Sequence, residues 1–303
     1  MALPDYQSLM LPLLKRLEDG KEHELRELRE QVARLLGLTE EERAQLLPSG
    51  SQPVFDNRFG WAKTYMEKAG LVQTVRRGVC KITSRGIEAL ATKPKAINIA
   101  FLSRFSEFED FRRRPSDAEA TTAEEPSEIR SSTPEEDFEA AYQELRRETE
   151  QALLSAVRSA SPGFFERLVV KLLVKMGYGG SIEDPGQPLG RSHDGGVDGM
   201  IKEDHLGLEA IYVQAKRWQN PVGRPEIQAF AGSLEGERAR KGVFITSSTF
   251  TPEARQYVTR IEKKIVLIDG AQLASLMFKF GLGVSTAKTY EIKRVDSDFF
   301  SEE

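Results

Sequence analysis

Cysteine is almost absent from this chain: Cys80 is the single thiol in 303 residues, which excludes an intramolecular disulfide. Histidine is nearly as scarce, at three residues, and the Cys/His spacings that hold zinc are missing. No apolar stretch approaches the roughly 20 residues a membrane helix needs. Met1-Ala2-Leu3-Pro4-Asp5 lacks the charged and apolar segments of a signal peptide. These absences predict a soluble cytoplasmic protein held together by apolar cores, with room for about two domains of roughly 100 to 200 residues each. Cys80, between Val79 and Lys81 in a predicted strand, reads as a small buried hydrophobe. A reactive thiol would need a base and an electropositive niche.

An excess of positive charge is also lacking. The formal net charge is −4, which is awkward for a DNA-binding protein, because Lys and Arg on phosphates supply most non-specific affinity. Its distribution removes the difficulty. Residues 103–150 hold 7 Lys and Arg against 15 Asp and Glu, a net −8, which leaves about +4 on the remainder. The acidity belongs to a linker.

Three regions differ in pattern. Residues 1–95 read as helices followed by a hairpin. Tyr6, Leu9, Met10, Leu13, Leu14 and Leu17 keep helical spacing up to Asp19-Gly20, and a second helix runs from Leu25 to Leu36. Thr39-Glu40-Glu41-Glu42 caps a short helix, and another runs from Asn57 to Lys68 with Gly70 as its stop. Leu71–Val75, the turn Arg76-Arg77-Gly78 and Val79–Thr83 give the hairpin, and Ser84–Leu90 a closing helix. This order predicts a winged helix, in which one helix can enter the major groove. Residues 56–86 carry 7 basic side chains against Asp56 and Glu67, a local +5. Arg58 and Lys63 on the helix and Arg76 and Arg77 at the wing tip are the candidate DNA contacts. A solvated face on a protein-docking module is the competing reading.

Residues 96–160 read as a linker. Phe101, Phe105, Phe108 and Phe111 lie at helical spacing and predict buried packing, while residues 116–136, rich in Ser, Thr, Glu and Pro, predict a flexible tether. A helix is expected from Asp137 to Val157, which re-enters the folded part or pairs with another protomer. Residues 161–290 alternate helix and strand, with strands at 197–201, 211–216, 243–246 and 265–268, and predict an α/β fold with a mixed central sheet flanked by helices. Residues 291–303 form a tail.

Within that third region, Asp198 ends Asp194-Gly195-Gly196-Val197-Asp198, and Gln214-Ala215-Lys216 ends the apolar run Ile211-Tyr212-Val213. Strand side chains alternate, so Gln214 and Lys216 share one face while Ala215 takes the other. Adjacent strands would bring a carboxylate, an amide and an ammonium to one spot, the layout of a metal-dependent phosphodiesterase. Asp194 reads as a turn-stabilising residue or a further ligand. His193 beside it reads as a solvent-facing side chain or a base.

The segments Phe164-Phe165-Glu166, Met176-Gly177-Tyr178-Gly179-Gly180, Asp194–Gly199, Tyr212-Val213-Gln214-Ala215-Lys216-Arg217-Trp218 and Gly242–Thr246 together resemble the Mrr family of restriction endonucleases, within the PD-(D/E)xK nuclease superfamily. Gly60-Trp61-Ala62, Ala69-Gly70-Leu71 and Arg77-Gly78 resemble that family's winged-helix domain, so the likeness covers nearly all of the chain except the linker. The resemblance implies a Mg²⁺-dependent nuclease, with Mn²⁺ as a substitute, acting on foreign or methylated double-stranded DNA, with cleavage shared by two protomers of a homodimer or larger homo-oligomer. It assigns Asp198, Gln214 and Lys216 to the site. Gln214 stands where the wider superfamily has Asp or Glu, and a neutral ligand calls for another carboxylate. Glu166 is the candidate, against its reading as a glutamate favoured in a helix's first turn by the dipole alone. Arg217 and Trp218 are secondary candidates for the DNA backbone or a base, with packing the alternative for Trp218, and Arg224 and Gln228 for positions around the phosphate. Two other functions fit less well: a winged-helix regulator with an inactive nuclease-like domain, and a repair or junction-resolving nuclease.

Overall fold

A computed structural model describes residues 3–112, 131–179, 197–202, 209–296 and 299. The chain divides into two compact units, residues 1–143 with 293–303, and residues 144–292.

The first unit opens with α1 (Tyr6–Arg16), capped by the Asp5 carboxylate, which accepts from Ser8 N at 2.8 Å. β1 (His23–Glu24), α2 (Leu25–Leu35) and α3 (Glu40–Ala44) follow, α3 closed at its start by a capping box between Thr39 and Glu42. Next come α4 (Val54–Lys68), β2 (Val72–Arg76), β3 (Val79–Ile82) and α5 (Ser84–Ala91). The strands form a three-stranded antiparallel sheet in the order β1-β3-β2, and with the helices this is the predicted winged helix. Leu9, Met10, Leu13 and Leu14 of α1 and Phe55, Phe59, Ala62 and Met66 of α4 make its core, with Cys80 fully buried among them.

Four local expectations shift. α4 starts at Val54 behind Pro53, three residues before the predicted Asn57, because proline fixes an extended entry that the next residues continue as helix. β1 is too short to show alternation, and exists because the free edge of β3 pairs His23 with Cys80. The phenylalanine segment is two short helices, α6 (Ile99–Leu102) and α7 (Ser106–Arg112), since Asn98 caps the first and the chain turns at Ser103–Phe105. Phe101, Leu102 and Phe108 are buried in the same core as α1 and α4, so this stretch belongs to the first unit. Of the expected tether, residues 116–130 lie outside the described residues. α8 (Pro134–Ser159) begins three residues before the predicted Asp137, with the Thr133 hydroxyl accepting from Glu136 N at 3.2 Å. The division between the units falls inside α8.

The second unit continues with α9 (Pro162–Lys175), β4 (Gly199–Lys202), β5 (Ala210–Lys216), α10 (Arg224–Gly236), β6 (Lys241–Thr246), α11 (Pro252–Val258), β7 (Lys264–Ile268) and α12 (Gly270–Lys279). Its four-stranded sheet runs β4-β5-β6-β7, with β4 antiparallel to β5 and the other pairs parallel, which is the expected mixed sheet. Both faces are covered. Val213, Ala215 and Ile245 pack with Phe165, Val169 and Leu172 of α9 and Leu273 and Met277 of α12. On the opposite face Phe244 and Ile265 pack with Ile227, Phe230 and Leu234 of α10 and Ala254 of α11. Among the described residues no helix is long and apolar enough to cross a membrane.

Candidate functional site

The ladder between β4 and β5 pairs Gly199 with Val213, and Asp198 N donates to Val213 O at 3.0 Å. Two residues further along β5, at Ala215, the main chain of β4 no longer supplies an acceptor. The Asp198 side chain takes over: its Oδ2 accepts from Ala215 N at 2.7 Å and from Gln214 Nε2 at 2.8 Å. A carboxylate only accepts, so the amide nitrogen of Gln214 must face it. Gln214 is 2% exposed and sits beside Phe244 in register on β6, which places it on the face covered by α10.

Lys216 follows at the end of β5, two residues on and therefore on the same face as Gln214. Its ammonium forms no hydrogen bond or ion pair with a described residue. Its backbone is firmly held: Lys216 O accepts from Thr246 Oγ1 at 2.8 Å and from Ser247 N at 3.3 Å. Two more hydroxyls fix the segment that follows, Ser247 Oγ donating to Trp218 O and Ser248 Oγ to Gln219 O, both at 2.9 Å. These hydroxyls were not singled out in the sequence, although the polar run Thr246-Ser247-Ser248-Thr249 directly after an apolar strand was the available signal. Arg217 turns back to donate Nη1 to Arg158 O at 2.7 Å, and its buried Nε has no partner among the described residues. Trp218 is 38% exposed, Gln228 is exposed, and Arg224 stacks over the Tyr257 ring at 5.3 Å.

The structure thus brings Asp198 and Gln214 into contact and sets Lys216 beside Gln214. No hydrogen bond or ion pair among the described residues joins Glu166 to them. Glu166 is half-buried on α9, whose apolar side covers the face of Val213 and Ala215, and it bonds to no described residue. Asp194 and His193 lie outside the described residues. Among the described residues no group of three or more His, Cys, Asp or Glu side chains could hold a metal ion. The oxygens available to a cation are Asp198 Oδ1 and Gln214 Oε1, neither hydrogen-bonded to a described residue. Two hard oxygen donors with one formal charge fit Mg²⁺ or Mn²⁺ with most positions left to water and phosphate.

Of the candidate DNA contacts, the helix pair is engaged within the first unit and the wing pair is exposed. Arg58 forks onto Glu136 through Nε at 3.0 Å and Nη2 at 2.8 Å, and its Nη1 donates to Leu3 O and Pro4 O. Lys63 donates to Glu67 at 2.6 Å and to the Thr74 hydroxyl. Burial pushes the Glu67 carboxyl up, but the hydrogen bonds it accepts from Lys63, the Thr74 hydroxyl and Thr74 N outweigh it and hold the group below the usual carboxylate range. Arg76, the last residue of β2, and Arg77, in the wing turn itself, are exposed, and Gly78 closes the turn with φ 75°.

Residues 157–277 match the Mrr catalytic domain, described as a restriction endonuclease, and residues 6–92 match the Mrr N-terminal domain. The type IV methyl-directed restriction enzyme EcoKMrr of Escherichia coli (strain K12) is 38% identical over 312 aligned positions, which cover 99% of this chain and 100% of that one. Two solved structures are more distant, each 18% identical: the DNA modification-dependent restriction endonuclease AspBHI, with a TM-score of 0.35 over 67% of this chain, and MspJI restriction endonuclease in complex with a 27-mer oligonucleotide, with 0.28 over 69%. This chain spans about half of each, 52%. With a relative matched from end to end and both domains of the family in their order, the chain belongs to the Mrr family of restriction endonucleases.

Proposed function

We propose that this chain is a metal-dependent, methyl-directed DNA endonuclease of the type IV kind, in which the first unit reads DNA and the second hydrolyses it. The observation that carries the cleavage reading is the Lys216 ammonium, unpaired among the described residues, beside the Asp198–Gln214 pair at the ends of adjacent strands. Half-burial of an ammonium with no counter-charge paired to it among the described residues costs solvation, which an incoming phosphate would restore. Methylated DNA as the target is supported by the full-length relative, a methyl-directed restriction enzyme.

Asp198 and Gln214 would hold a Mg²⁺ or Mn²⁺ ion, which when bound polarises the phosphodiester and acidifies water. We assign Glu166 as the supporting carboxylate, supplying the charge that Gln214 does not. Lys216 donates hydrogen bonds to a phosphate oxygen or to the attacking water and offsets charge that grows on the phosphoryl group in the transition state. The water oxygen bonds to phosphorus as the bond to the leaving oxygen breaks, so each cut yields a phosphate monoester and a free hydroxyl. No covalent enzyme intermediate is needed. Cutting both strands of a duplex requires two such sites, and a homodimer supplies them.

Plasmid DNA, methylated or not, incubated with the protein and Mg²⁺ tests this. Nicking or linearisation of the methylated form is expected. Lys216→Ala should abolish it while DNA binding persists; no cutting of any form would sink the nuclease reading, and cutting by the variant would sink Lys216.

A further inference from the structure

α4 precedes the β2–β3 wing, the position of the DNA-reading helix in a winged helix. Phe55, Phe59, Ala62 and Met66 turn one side of it into the core. At 3.6 residues per turn Asn57, Gly60, Trp61 and Thr64 fall on the outward side. Asn57 is nevertheless 4% exposed.

What buries it is the chain around the start of α8. The Asn57 carboxamide donates to Glu135 Oε2 and accepts from Thr133 Oγ1 at 2.6 Å, so both its donor and its acceptor are used. Trp61 Nε1 donates to the same Glu135 oxygen at 2.8 Å. Arg58 is forked on Glu136, with the two side chains 19% and 14% exposed. Further along, Ser49 N donates to Glu139 Oε2 at 2.7 Å. Arg294, 77% exposed, approaches Glu135 from the tail at 3.7 Å.

The chemistry of this contact is that of a nucleic acid. An asparagine amide using donor and acceptor together is how that side chain reads the adenine edge, with Glu135 in the place of the ring nitrogen and Thr133 in the place of the amino group. A carboxylate forked by arginine stands where a phosphate would. We propose that Thr133–Glu139 is a built-in competitor that occupies the reading face of α4, and that Asn57, Arg58 and Trp61 become DNA contacts when target DNA displaces it. This rests on the reading of the first unit as the DNA-recognition module. The arrangement lets the chain ignore weakly bound DNA, because apparent affinity falls by the fraction of molecules that are open.

The experiment measures binding of a labelled methylated duplex by the full-length protein. Glu135→Gln/Glu136→Gln keeps side-chain size and removes the competing charge. Glu40→Gln/Glu41→Gln on α3, both exposed, removes the same charge elsewhere. If about one molecule in ten is open, the first variant binds about tenfold more tightly, and the second stays within about twofold of the parent. Equal affinity of the first variant and the parent, or equal gains in both variants, overturns the competitor. Arg76→Ala/Arg77→Ala and Asn57→Ala test the module itself: if neither weakens binding, the recognition reading fails. If they weaken it while the Glu135/Glu136 variant gains nothing, only the competitor fails. Hydrogen exchange gives a second readout, with amides of 133–139 expected to lose protection as DNA is added. Unchanged or increased protection there overturns the proposal.

Discussion

Replacing Asp198 separates the scaffold of the site from its chemistry. Both hydrogen bonds to this side chain, from Ala215 N and Gln214 Nε2, end on the same oxygen. Asn can put its own carbonyl oxygen there and keep both, at neutral rather than charged strength. Charged hydrogen bonds net about 1.5–3 kcal/mol and neutral ones about 0.5–1.5, so Asp198→Asn costs about 1–2 kcal/mol. Asp198→Ala strands two donors, one of them main chain in a residue 6% exposed, and costs about 3–5 kcal/mol. At about 2–4 °C per kcal/mol for a unit of this size, Tm should fall by about 5 °C for Asn and by about 10 °C or more for Ala. Activity should follow another order. Both variants lose the anionic oxygen, and since partners one shell further out are worth about 10–100-fold at metal sites, each should lose at least about 100-fold in plasmid nicking. Thermal unfolding and nicking on the same preparations decide the matter. Asn cutting within about tenfold of the parent, or Ala as stable as Asn, would refute the reasoning.

Two further outcomes follow from the first unit. A Cβ on Gly86 would lie 2.2 Å from Leu71 O and 2.5 Å from Ile82 Cγ1. Overpacking against a rigid carbonyl outweighs the gain in helix propensity, so Gly86→Ala should destabilise this unit by about 1–3 kcal/mol in calorimetry, and a stabilised variant would contradict the packing. The hydrogen bond from Arg85 pushes the Glu107 carboxyl down to about 2 from 4.5. Its contribution to stability is therefore complete above the unfolded value of 4.5 and is lost as pH falls from there toward 2. Glu107→Gln should flatten the acid limb of a Tm-against-pH curve in that window, and an unaltered limb would argue against the pair.

The mixed sheet was legible because β5, β6 and β7 are short apolar runs bounded by turn residues, and the alternation in Ile211–Lys216 places Gln214 and Lys216 on one face without further information. The hydrogen-bonding job of Asp198 was not, because it depends on where β4 stops relative to β5. The neighbourhood of Glu166 was not either: helical spacing says which side of α9 is apolar, not which face of the sheet it covers. The covering of α4 was the least legible. Residues 131–136 have the composition of a tether, and their order arises from specific partners 74–78 positions earlier in the chain, Asn57, Arg58 and Trp61. Composition measures how much apolar area a segment buries. It does not count hydrogen bonds to distant side chains.

The amide of Gln214 has one more consequence. A glutamate at this position would set two carboxylates against each other, and such pairs settle only by sharing a proton or a cation. Glutamine offers Asp198 a donor instead, so the two side chains satisfy one another at neutral pH with nothing between them. The site is therefore assembled in advance, and a cation that enters need only turn the amide to present its oxygen. Gln214→Glu would trade that readiness for tighter cation binding, making the stability of the second unit depend on the divalent ion more steeply than the parent's does.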